Sequence, residues 1–180
     1  MSGPMASHLL RELGADVVKI ENPKTGDGNR GLEPLIHGHG LFHLQLNAGA
    51  RSLAVSTRSP HWPEVVEAAA KWADAVIVGS RPVDAVRRGI DFETLTRHNP
   101  RLVYCSISGY GEEGPWSNLP AHGQTIDALA GLLPVINDGQ GNPTTPPGWR
   151  SAGAGLSGVF GALGVFAGLH RQVSSGAAQY

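Results

Sequence analysis

Three groups of residues in this sequence could do chemistry by type and spacing. His37, His39 and His43 form its one close histidine cluster, and imidazoles so spaced could share a metal ion. They lie among glycines without helical or strand periodicity, and no Asp or Cys adjoins them to complete a coordination shell, so no metal is expected. Gly109-Tyr110-Gly111-Glu112-Glu113-Gly114 fits the G-x-G-x-x-G pattern of a dinucleotide-binding turn. Pro115 and Pro120 block the helix that must open there, and two glutamates would repel a pyrophosphate. The pattern is therefore read as a loop, and no P-loop sequence occurs elsewhere. Cys105, the single cysteine, lies in the apolar run Leu102 to Ile107 and reads as a small buried hydrophobe rather than a nucleophile.

The elements that must position any such site follow from periodicity. Ser2 to Leu13 reads as an amphipathic helix with Gly14 as its stop, and Asp16 to Glu21 as a strand. Asn22 to Arg30 is dense in turn residues, so polar groups collect where that strand ends. The stretch Leu32 to Asn47 is irregular. Arg51 to Ser56 reads as a strand, Pro63 to Trp72 as a helix and Ala75 to Val78 as a buried strand. Asp91 caps a short helix around Phe92 and Leu95, followed by the strand Leu102 to Ser108. This alternation predicts an α/β fold with a partial doubly wound parallel sheet, Rossmann-like, over residues 1–115, with ligands bound beyond the strands' carboxyl ends. Residues 116–180 read as a helical continuation of the same domain. It holds a helix over Gln124 to Leu133, a Gly/Pro-rich connection over Asn137 to Trp149, and a helix from about Gly155 to Gln172.

Composition narrows the function classes. The 180 residues are 41% hydrophobic and 16% charged with a net charge of -1, which suits one globular domain and offers no basic footprint for nucleic acid or anionic membrane. One cysteine excludes an internal disulfide and fits a reducing, cytoplasmic compartment. Ser151 to Leu169 is uncharged and nearly long enough to span a bilayer. Its many glycines favour instead a buried helix that another backbone approaches closely.

Several composite blocks carry a resemblance. Gly14-Ala15-Asp16-Val17-Val18-Lys19-Ile20-Glu21-Asn22-Pro23, followed by Gly26-Asp27-Gly28-Asn29-Arg30, resembles the helix-to-strand signature of class III coenzyme A transferases, a family that also includes 2-methylacyl-CoA racemases. Leu46 to Ser52 resembles the family's Asn-x-Asn-Lys-Arg-Ser segment without its second Asn and Lys. Ala73 to Val78 with Arg81-Pro82 resembles the next block, with Gly79-Ser80 where Glu-Asn is usual. Asn99 to Tyr104 and Ser108 to Pro115 match closely, and the blocks run in the family's order along nearly the whole chain.

The resemblance implies a CoA transferase moving coenzyme A between an acyl-CoA thioester and a carboxylic acid through an active-site carboxylate, with acyl-CoA as substrate and no permanently bound cofactor. The phosphates of CoA call for guanidinium groups, and Arg30, Arg51, Arg81 and Arg88 lie in or near loops that the sheet would direct to one edge. Arg30 and Arg51 are the first choices. The nucleophilic Asp implied by the family falls on Gly123. His122 matches the racemases' proton-abstracting His, and an imidazole titrating near neutrality suits that task. Asp127, four residues after Gly123, lies one helical turn along, ~6 Å away, where it could act as nucleophile or as a base beside His122, or be a plain structural Asp. A racemase-like isomerase based on His122 and a non-catalytic acyl-CoA-binding fragment remain as alternatives. The resemblance further implies a homodimer, a strand before Gly3-Pro4 and a second domain after Tyr180.

Overall fold

A computed structural model covers Met1–Tyr180. Helix α1 (Ser2–Glu12) leads through Gly14 into strand β1 (Val18–Glu21), which pairs in parallel with β4 (Arg51–Ala54) in the register Val18↔Arg51 to Glu21↔Ala54. Between them lie a 3-10 turn (Gly28–Gly31), the short hairpin β2 (Leu35–Ile36) and β3 (His39–Gly40), and helix α2 (Leu41–Asn47). The segment Leu32 to Asn47, expected to be irregular, thus contains three small elements. None is long enough for periodicity to reveal it.

Helix α3 (Trp62–Trp72) carries Pro63 in its first turn, where the missing N–H costs nothing. Strand β5 (Ala75–Val78), helix α4 (Pro82–Arg88), helix α5 (Phe92–His98) and strand β6 (Val103–Ser106) follow. The expected Asp91 cap forms, its carboxylate accepting from Thr94 N at 3.0 Å. Helix α4 was not anticipated. Pro82 opens it and Gly89, at φ 67°, ends it after only seven residues.

Strands β5 and β6 pair in parallel from Ala75↔Val103 to Val78↔Ser106. Alternation along them sorts side chains to two faces. Val78 and Tyr104, with Leu102, pack against Trp62, Val66 and Ala70 of α3, Ala85 of α4 and Leu95 of α5. Ala75, Ile77, Cys105 and Ile107 face α1 and α7 (Ala152–Ser175) through Ala6, Leu10, Ala162 and Val165. The pair is thus a filling between two helical layers, and each fully buried aliphatic such as Leu102 contributes roughly 2 kcal/mol. Gly158 lets α1 seat on α7: a Cβ there would stand 2.5 Å from Ser2 O. The tail adds to the same sheet edge, because Tyr104 N donates to Gln179 O at 2.8 Å and Gln179 N to Leu102 O at 3.0 Å.

The fold is α/β with parallel strand pairs and flanking helices, as the alternation predicts. The parallel strands form two separate two-stranded units, β1–β4 and β5–β6, rather than one continuous sheet. Helix α6 (Gly123–Leu129) and a small hairpin of β7 (Ile136–Asn137) and β8 (Pro143–Thr144) precede α7. That hairpin begins one residue before the Gly/Pro-rich connection expected over Asn137 to Trp149 and lies within its first half. Helix α7 begins three residues earlier than expected because Ser151 caps it, accepting from Ala154 N at 3.3 Å.

Candidate functional site

The carboxyl end of β5 opens into a polar cavity of about 370 Å³, lined by the Gly79–Ser80–Arg81 turn, Asp84 and Arg88 of α4, and Pro120, Ala121 and His122 ahead of α6. The parallel strand direction and the N-terminus of α4 put it on the edge where α/β folds bind ligands. Arg81 donates from Nε to Asp84 Oδ2 at 2.8 Å and from Nη1 to Asn118 O at 3.2 Å. Arg87 Nη2 donates to the other Asp84 oxygen at 2.6 Å. The Arg81 hydrogen bond, with help from the neighbouring guanidinium groups, holds the Asp84 carboxyl below its usual range. Arg88 differs: its Nη1 donates to Ser80 Oγ at 3.2 Å, and it has no carboxylate partner. Its positive charge is open to an anion in the cavity.

His122 is the N-cap residue of α6 and is exposed at the cavity. Asp127 stands elsewhere. It is fully buried, and its carboxylate accepts from Ala152 N at 3.2 Å and Gly153 N at 2.9 Å, the first amides of α7. These orphan donors and the positive end of the helix dipole hold a carboxylate well. Asp127 therefore clamps α6 to α7 and is turned away from solvent. At Gly123, where the family's carboxylate is expected, an added Cβ would stand 2.3 Å from Ser151 Oγ and 2.5 Å from Ser151 Cβ. The space for a side chain there is filled.

The four arginines do not converge as expected. Arg81 and Arg88 share the cavity with His122. Arg30 lies beyond the carboxyl end of β1 and is held by Glu21, with Nε to Oε2 at 3.1 Å and Nη2 to Oε1 at 3.2 Å. Burial pushes the Glu21 carboxyl up, but hydrogen bonding and charge from Arg30, aided by Lys19, outweigh it and leave the pKa below the ordinary value. Lys19 bonds Asp27 and, at 2.7 Å, Asn47 Oδ1, closing a polar network under the first loop. Arg51 opens β4, so it sits at the amino-terminal edge of its strand pair, ion-paired with Asp16 and 5.6 Å from the Trp72 ring centroid. It cannot reach the carboxyl-end edge. Of the four, Arg81 and Arg88 are the pair brought together at one cavity, while Arg30 and Arg51 stand apart from it, each paired with a carboxylate.

Of the histidine cluster, His37 lies in the β2–β3 turn at φ 48°, His39 on β3, and His43 is buried in α2 with Nδ1 3.3 Å from Asn47 Nδ2. The three form no metal-holding group. Burial lowers the His43 pKa, with the charges of Arg30 and Lys19 adding to the effect. Cys105 is half-buried, its thiol directed to Gly161 O at 3.7 Å and its pKa pushed up by burial. Gly109 to Gly114 forms bends with no helix following until α6. Sequence reading missed Ser80 and Asn118, whose roles come from tertiary contact, and Glu112, read only as repulsive to phosphate. Glu112 accepts from Ser106 Oγ at the end of β6. The nearby Tyr180 is pushed up to about 12, first by burial and then by the Glu112 charge.

Comparison with known proteins identifies the relatives. The model of CoA-transferase family III matches residues 1–180. A succinate–glutarate CoA-transferase of Agrobacterium fabrum is 29% identical over 167 residues, covering 89% of this chain and 40% of that protein. A formyl-CoA:oxalate CoA-transferase of Streptomyces coelicolor is 33% identical, covering 99% and 43%. The crystal structure of a CAIB/BAIF family protein from Brucella suis superposes with a TM-score of 0.85 at 27% identity, covering 99% of this chain and 48% of that one. The chain spans less than half the length of these relatives.

Proposed function

The chain belongs to CoA-transferase family III, and on that premise we propose that its polar cavity binds the phosphates of coenzyme A in a protein that moves CoA between an acyl-CoA thioester and a small carboxylic acid. The observation that carries this reading is Arg88, a guanidinium without a carboxylate partner, lining one cavity with Arg81 and His122. Phosphate oxygens match a guanidinium fork in geometry and charge. Asp84 and Asn118 hold Arg81 in place, so little side-chain entropy remains to be lost on binding. His122, exposed at the same cavity, is available to take or give a proton near a bound thioester. The acid class follows the relatives, whose names specify succinate, glutarate and oxalate.

A second reading, acyl-CoA binding without turnover, is favoured by the fate of the carboxylates. Asp127 is spent on α7, Ser151 fills the space at Gly123, and Asp84 is bound by two arginines.

Calorimetry with CoA tests the shared premise. Arg88→Ala should weaken binding at least ~10-fold, since a charge-assisted hydrogen bond is worth ~1.5–3 kcal/mol, while Arg51→Ala should leave it unchanged. Absence of CoA binding by the wild-type chain would overturn both readings. Transfer of labelled acid into acyl-CoA then separates transferase from binding module. Deuterium wash-in at the α-carbon, abolished by His122→Ala, would instead indicate racemase chemistry.

A further inference from the structure

The charges that line the polar cavity are not independent anchors. Arg81, Asp84 and Arg88 are its charged residues, beside His122. Asp84 is buried and both its oxygens are taken: Oδ2 accepts from Arg81 Nε at 2.8 Å and lies 2.7 Å from Arg81 Nη2, while Oδ1 accepts from Arg87 Nη2 at 2.6 Å. The two arginines stand three residues before and three after it, so the helical turn itself brackets the carboxylate. Arg81 is tied a second time, from Nη1 to Asn118 O at 3.2 Å, and Asn118 Oδ1 in turn accepts from Val83 N at 3.1 Å. Arg81 is therefore locked facing Asp84. Arg87 does not line the cavity. Two guanidinium groups against one carboxylate leave the lining with a single net positive charge when the imidazole is neutral, and Arg88, bonded only to Ser80 Oγ, carries it.

We infer that Asp84 is the specificity-determining residue of this cavity: by neutralising Arg81 it fits the site to a phosphoryl group of single charge, such as each half of a pyrophosphate bridge, and sets it against a phosphomonoester. The inference rests on the phosphate-binding reading above and names which phosphate of CoA the cavity takes. A monoester concentrates nearly two negative charges on one phosphorus at neutral pH, whereas a pyrophosphate bridge spreads its charge over two. Arg88 balances the first charge. The second would meet Asp84 with no free cation beside it, and like charges brought together at a binding site lower affinity. Arg81 still offers N–H donors to a ligand oxygen but adds no net charge. Without the carboxylate, the same cavity would present two free guanidinium groups and would favour the dianion.

Three ligands separate the phosphates. Dephospho-CoA has the pyrophosphate without the 3′-monoester, adenosine 3′,5′-bisphosphate has monoesters without the pyrophosphate, and CoA has both. Calorimetry at about pH 8 keeps imidazole charge out of the comparison. The ratio of variant to wild-type affinity for each ligand cancels every contact that lies outside the cavity.

Asp84→Asn should tighten CoA and dephospho-CoA alike, by about 3-fold, and the bisphosphate by about 10-fold, because Coulomb energy grows with the charge that faces the lost carboxylate. Should that variant fail to fold, Arg87→Ala decides, since it alters an exposed side chain outside the cavity. With one of its arginines gone, Asp84 bears more heavily on the cavity, and the bisphosphate should weaken by a larger factor than dephospho-CoA. A gain for CoA without one for dephospho-CoA would put the monoester in the cavity and overturn the inference. Equal factors for all three ligands, or no change in any, would overturn it as well, and in each of these cases wild-type CoA binding leaves the CoA reading standing. Binding of no phosphate ligand by wild type and variants alike overturns both.

Discussion

Removing the Asp127 carboxylate tests the assignment that separates this site most sharply from a covalent one. In the folded chain both oxygens are consumed by the amides of Ala152 and Gly153, and no water-facing edge is left. Hydrogen bonds to a charged group contribute ~1.5–3 kcal/mol each, and loss of a helix cap ~0.5–2 kcal/mol. The two bonds share one carboxylate, and Ser151 still caps Ala154, so Asp127→Ala should cost about 3 kcal/mol. Asp127→Asn retains one acceptor oxygen and should cost about half as much. Against a total of ~5–15 kcal/mol for an ordinary domain, this is a large shift in the urea midpoint at constant slope. A loss below about 1 kcal/mol in Asp127→Ala would refute the clamp. Retained stability with loss of CoA exchange would restore Asp127 as the nucleophile.

Two pH experiments follow from the other groups. Tyr180 is raised to about 12, and Tyr104 further, mainly by burial with the Glu112 charge adding to it. Tyrosines held neutral in the folded state contribute stability that is complete below the unfolded value near ~10 and is lost as pH rises toward the folded value. Ultraviolet titration should show Tyr104 and Tyr180 ionising late, and Glu112→Gln should bring Tyr180 earlier. Ionisation of Tyr104 and Tyr180 near the free value would refute this. At the acid end, Glu21 and Asp27 are depressed despite burial, by Arg30 and Lys19 respectively. Their stabilisation is present above the unfolded carboxyl range and declines as pH falls through the lower folded values. Chemical denaturation from pH 6 downward should show less acid loss in Glu21→Gln than in the wild type; equal slopes would count against the network.

The sequence alone determined much of this protein. Periodicity located α1, α3, β5 and β6, because each is long or apolar enough for its own residues to dictate its conformation. The Asp91 cap was legible because its hydrogen bond closes three residues away, and the ordered blocks from Gly14 to Pro115 sufficed for the family. Tertiary structure decided which chemistry-bearing side chains meet. Arg51 was expected at the ligand edge, but parallel pairing with β1 turns it to the opposite end, toward Asp16 thirty-five positions away. Asp127 looked free on one helical face until α7 brought its amides from 25 and 26 positions away. Arg88 gained its place only because α4, too short for its pattern to be recognised, sets it beside Ser80 and His122. Local propensity acts over a few residues, whereas a side chain's partner is fixed by strand direction and helix packing over distances that no window of sequence contains.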